Sequence, residues 1–141
     1  MPNSPIIIAL LAFSISACLF AFVKGGAAER IGAGVILANL TAMLLASGYF
    51  LTNPVMGLVL DALTAVVLLG LAVIYASFWL GGVMLLYALQ FTLHAYYFVA
   101  ERPRDHWHVV VNNIDFFAVS LSLVIGTAVT WRRRVRAARI P

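Results

Sequence analysis

The chain has 141 residues, of which 64% are hydrophobic and 10% charged, with a formal net charge of +4. Soluble domains run near ~45–50% apolar and ~25% charged, so this composition excludes a water-soluble globule and a disordered chain; Cys18, the one cysteine, excludes a disulfide scaffold. A mean hydropathy of +1.04 points instead to one all-α domain, residues 1–141, embedded in a membrane.

A membrane-spanning helix needs about 20 apolar residues. Pro5 to Val23 supplies the first, closed by the charged and glycine-broken stretch Lys24 to Arg30. Within it, Ile15-Ser16-Ala17-Cys18 has the look of a lipoprotein cleavage box. Met1 to Ser4 carries no Lys or Arg, and the residues after Cys18 stay apolar, so Cys18 reads as a small apolar residue in mid-span.

The second span runs over residues 31–52. Gly34, Ala38, Ala42 and Ala46 recur every four residues along it and form one face of small side chains, the kind that lets a second helix approach closely. This face is the expected helix-packing surface. Asn39 and Thr41 add the polar side chains of that half.

Asn53-Pro54 opens the next helix as cap and first helical residue. Val55 to Ala100 then offers a single formal charge, Asp61. One helix of that length would reach about 69 Å, more than twice the hydrocarbon thickness. The stretch must fold back, and Ser77-Phe78-Trp79-Leu80-Gly81-Gly82 predicts the turn, with Trp79 at the interface. Two spans result, 55–77 and 80–100. Glu101 to His108 is a polar loop, Asn112 or Asn113 caps the last span over residues 113–131, and Asp115 sits favourably in its first turn.

Five spans place seven basic residues on the side of the carboxyl tail: Lys24, Arg30, Arg132, Arg133, Arg134, Arg136 and Arg139. Only Arg102 and Arg104 face the other side. A four-span alternative, in which residues 55–100 cross once, splits the charge almost evenly. The bias therefore predicts a five-helix bundle with the amino end outside and the tail, residues 132–141, in the cytoplasm, most simply of a bacterial inner membrane. The tail arginines anchor on anionic headgroups, and nucleic acid is not an expected partner.

Asp61 is the costliest residue in this setting, and an ionisable group inside a membrane is a functional candidate by default. On the fourth span Tyr87, Gln90, His94 and Tyr97 are spaced three, four and three apart and share one helix face. Asp61 and His94 are equidistant from the predicted turn, so an antiparallel hairpin sets them at one depth, where they can share a proton. Asp105, His106 and His108 are weak metal candidates, because no Cys completes a ligand set, and a bis-histidine haem would need one of these histidines to face His94. Neither cofactor is expected.

The chain carries no Ser/His/Asp order, no paired intramembrane aspartates and no HExxH, so an enzyme is not expected. A holin-like lysis protein matches only in size and basic tail. The sequence favours an accessory or scaffold subunit that packs on a larger membrane complex or on itself. The alternative is a proton-coupled channel, carrier or relay built on Asp61 and His94.

Overall fold

The computed structural model describes residues 5–45, 54–103 and 105–139. They form five helices: α1 (Pro5–Lys24), α2 (Ala27–Leu45), α3 (Pro54–Tyr75), α4 (Phe78–Val99) and α5 (His106–Ala137). Each is long and apolar enough to cross a membrane. Consecutive helices pack side by side, α5 returns to α1 to close the ring, and α2 also touches α5 across the middle.

The helix ends differ from the sequence expectation, and the cause is local. Helix α2 starts at Ala27 rather than residue 31, because the Glu29 Oε2 atom reaches back and accepts the Gly26 backbone N–H at 2.9 Å. This is the return half of a capping box. Helix α5 starts at His106 rather than residue 113, because Asp105 is extended and its Oδ1 accepts the His108 backbone N–H at 2.9 Å. Asn112, Asn113 and Asp115 therefore lie inside the helix and do not cap it. At its far end α5 continues to Ala137, so Arg132, Arg133, Arg134 and Arg136 stand on exposed helical turns and Arg139 just beyond them. Asn53, proposed as the α3 cap, lies outside the described residues.

The α3–α4 hairpin turns at Ala76, which adopts a left-handed φ of 46°, and not at Gly81-Gly82, which are helical. The Ser77 N–H closes the turn on the Ala72 carbonyl at 3.2 Å. A comparable left-handed residue, Glu101 with φ of 49°, ends α4. Both are helix C-terminal caps made without glycine.

A layer of Ile36, Leu68, Leu80, Val83, Val119 and Leu123, each at most 2% exposed, fills the middle of the bundle. Polar side chains gather on either side of it. The loop end holds the α4–α5 connection. The basic end holds Lys24, the start of α2 and the arginines of α5.

Among the described residues, the expected packing face of α2 is not the face turned into the bundle. Gly34 has no heavy atom within 4 Å of where a Cβ would stand, Ala38 is exposed, and Ala42 is half-buried, while Ala46 lies outside the described residues. The buried face carries Glu29, Gly32, Ala33, Ile36, Asn39 and Leu40. Helices apolar on all sides give no periodic signal for which stripe faces their neighbours, and polar Glu29 and Asn39 decide the rotation here.

Candidate functional site

At the loop end the hairpin sets Asp61 of α3 against His94 of α4. His94 Nδ1 lies 2.6 Å from Asp61 Oδ2, with Asp61 fully buried and the His94 side chain 13% exposed. At that separation the two atoms are joined by a hydrogen bond, donated by the Nδ1–H to a carboxylate or by a carboxylic acid to a bare Nδ1. The Asp61 Oδ1 atom is buried and meets no donor among the described residues. The carboxyl group thus keeps an acceptor in reserve while its other oxygen holds the imidazole.

The pair continues toward the surface through aromatic contacts. The His94 ring stacks on that of His108, with centroids 5.2 Å apart and planes at 25°. Tyr97 meets His108 edge-on at 4.8 Å. The Tyr97 hydroxyl then donates to Asp105 Oδ1 at 2.6 Å. Asp105 is exposed, and the Tyr97 O–H and the His108 backbone N–H together hold its carboxyl below the ordinary value. A line of titratable side chains therefore leads from a buried carboxyl to one in contact with solvent.

Other members of the α4 face take separate partners. Gln90 donates its Nε2–H to Asn112 Oδ1 of α5 at 3.1 Å. Tyr87 is buried beside Asn39 of α2. Asp115 is 3% exposed, and neither of its oxygens meets a donor among the described residues. His108, Asn112 and Asp115 fall at i, i+4 and i+7 on α5, so a polar stripe on this helix answers that on α4. The expectation of a loop over residues 101–108, with the last span capped at Asn112 or Asn113, hid this stripe.

The metal and haem alternatives fit poorly. Among the described residues no three His, Cys, Asp or Glu side chains gather as ligands. His106 is exposed, while His108 lies under the bundle. Imidazole lone pairs lie in the ring plane, so two rings stacked face to face do not converge on one ion placed between them.

The basic end holds a second buried carboxylate, Glu29, that the sequence reading passed over as part of a loop. It is 4% exposed. Besides the Gly26 amide, its Oε1 accepts Trp79 Nε1–H at 3.1 Å and the Thr130 hydroxyl at 2.8 Å. Trp79 stands at the start of α4 and is half-buried. Its ring fills a slot between α2 and α5, where a Cβ on Gly32 or Gly126 would stand 2.8 or 2.5 Å from it. The spacing Gly26-x-x-Glu29 at the start of an apolar stretch was the available signal, since it places a carboxylate three residues after a cap.

Comparison of the chain with family models, with curated proteins and with solved structures gives no match in any of the three.

Proposed function

We propose that the protein is an integral membrane protein whose loop-side half exchanges protons through Asp61 and His94. The observation that carries the reading is the 2.6 Å contact between two ionisable side chains in the bundle interior, one of them fully buried. Five apolar helices leave too little polar surface for water, and buried ionisable groups in such a setting are expensive unless they do something together. The seven-to-two distribution of basic residues favours the basic end in the cytoplasm and the loop end outside. A bacterial inner membrane is the simplest host.

Protons enter from the loop side, where Tyr97 is hydrogen-bonded to Asp105; the contacts of His108 with Tyr97 and His94 are ring packing, so water carries the proton on to the Asp61–His94 pair. On α5 the buried residues between the pair and Glu29 are both apolar and polar: Val119, Ser120, Leu123 and Thr127. Reconstitution in liposomes with an internal pH dye tests the reading. An imposed pH gradient should drive proton movement in the wild type, and Asp61→Asn and His94→Gln should each abolish it, the double variant losing nothing further. Undiminished movement in Asp61→Asn contradicts the reading.

A second reading, the accessory subunit, draws on the stripe Gly34, Ala38 and Ala42: among the described residues nothing stands within 4 Å of a Cβ at Gly34, and Ala38 is exposed, which suits close approach of another helix. The partner is a larger membrane complex or a second copy. Affinity purification from native membranes, followed by mass spectrometry, identifies which. Loss of the partner on Ala38→Leu, with thermal stability unchanged, supports this reading.

A further inference from the structure

At the basic end a pocket of about 480 Å³ opens between the start of α2, the α3–α4 turn and the last third of α5. Its wall is apolar on one side, with Trp79, Ile125 and Val129, and cationic at the rim, with Arg133. Phe78, also at the rim, is fully exposed. The volume lies within the range of small-ligand sites, ~300–1,000 Å³.

The cations nearby are not equivalent. The Arg134 Nη2 atom donates to the Lys24 carbonyl, and Lys24 Nζ sits 5.1 Å over the Trp131 ring. Arg133 alone among the tail arginines lines the pocket. Glu29 forms part of the wall, but its oxygens are turned to the Gly26, Trp79 and Thr130 donors. An arginine over an apolar wall, beside an exposed aromatic, is complementary to an amphiphile with a phosphate head and hydrocarbon body. A ligand without an apolar part leaves Trp79, Ile125 and Val129 unused. One without negative charge leaves Arg133 unmatched, among tail arginines that already favour anions.

We infer that this pocket is a binding site for one anionic phospholipid, its phosphate held by Arg133 and its glycerol and upper acyl carbons against Ile125, Val129 and Trp79. This rests on the membrane reading above. A diffuse attraction of the tail for anionic bilayers is a different matter, because it treats all five arginines alike.

The test is the thermal stability of the purified full chain in detergent, with phosphatidylglycerol, phosphatidylcholine or inorganic phosphate added. Phosphatidylglycerol should raise the melting temperature by several degrees, while phosphatidylcholine and inorganic phosphate leave it within error. Arg133→Gln should remove the gain and Arg139→Gln should keep it. Val129→Trp, which fills the pocket without touching a charge, should also remove it. Equal gains from phosphatidylcholine or from free phosphate overturn the inference, as does an equal response of Arg133→Gln and Arg139→Gln. Flotation of the wild type with phosphatidylglycerol vesicles is measured alongside. Protein that floats but shows no selective gain fails the pocket alone, whereas protein that stays in the soluble fraction fails the membrane reading itself.

Discussion

Of the three buried carboxylates among the described residues, Asp61, Asp115 and Glu29, Glu29 and Asp61 stand at opposite ends of the bundle and are built in opposite ways. Glu29 is surrounded by three donors with nothing to gain or lose near neutral pH: a backbone amide, an indole N–H and a hydroxyl. Asp61 has one partner, an imidazole, and one buried oxygen without a described donor. Saturation by fixed donors makes a tie between helices, here α2, α4 and α5. A titratable partner makes a pair that can pass a proton, which is what the proposed function uses.

The comparison breaks most visibly when each acid is changed. Asp61→Ala leaves His94 inside the bundle without its acid, and loss of one member of a buried pair costs about 3–5 kcal/mol. Thermal unfolding in detergent should show this as a large drop in melting temperature. Asp61→Asn, which keeps the shape and an acceptor, should keep most of the stability and lose proton movement. Glu29→Gln is the converse control, since it retains acceptance from Trp79 and Thr130. It should lower the melting temperature modestly and leave proton movement per folded molecule intact. Proton movement lost in Glu29→Gln as fully as in Asp61→Asn erases the distinction between tie and site.

A smaller effect tests the tie through its packing. Gly126→Ala places a Cβ where the Trp79 ring runs, at 2.5 Å, and overpacking of this kind costs about 1–3 kcal/mol. Gly34→Ala, in the interior of α2, meets nothing within 4 Å and should cost nothing, with a gain of up to about 1 kcal/mol from helix propensity. Equal losses from the two alanines, read by the same melting experiment, would mean that Gly34 faces a neighbour after all.

The smallest effect is at the surface of the loop end. The Asp105 carboxyl is held below its ordinary value by Tyr97 and His108, so it stabilises the folded state above that ordinary value of about 4. The contribution is lost as pH falls through the lowered folded value. Tyr97 fluorescence and exchange of the first-turn amides of α5 should therefore change only below about pH 4. Asp105→Asn should remove that acid dependence while keeping the cap, because Asn caps helices nearly as well as Asp.

The five apolar stretches were legible because the need for about 20 apolar residues per crossing is a matter of composition. The common depth of Asp61 and His94 was legible for a related reason: a hairpin fixes register by counting, and a turn displaced to Ala76 shifts the count by one residue on each side. Rotation about the helix axis was harder to read. Helix α2 is apolar around most of its surface, so the regular Gly34/Ala38/Ala42 stripe looked like the packing face, while Glu29, Gly32, Ile36 and Asn39 actually face the bundle. Helix ends were harder still, because one hydrogen bond from Glu29 or Asp105 decides where the first turn begins. Loss of those two caps from the reading concealed the Glu29 tie and the His108/Asn112/Asp115 stripe together.

The central claim is that Asp61 and His94 share a proton in the interior of the bundle. Solid-state NMR of 15N-histidine-labelled protein in lipid bilayers measures this directly at the His94 ring. The account predicts that His94 Nδ1 is close to the Asp61 carboxyl carbon, as a hydrogen bond to the carboxyl oxygen requires, and that the His94 ring signals shift in Asp61→Asn. A His94 Nδ1 with no contact to the Asp61 carboxyl carbon, and a spectrum unchanged by Asp61→Asn, would contradict it.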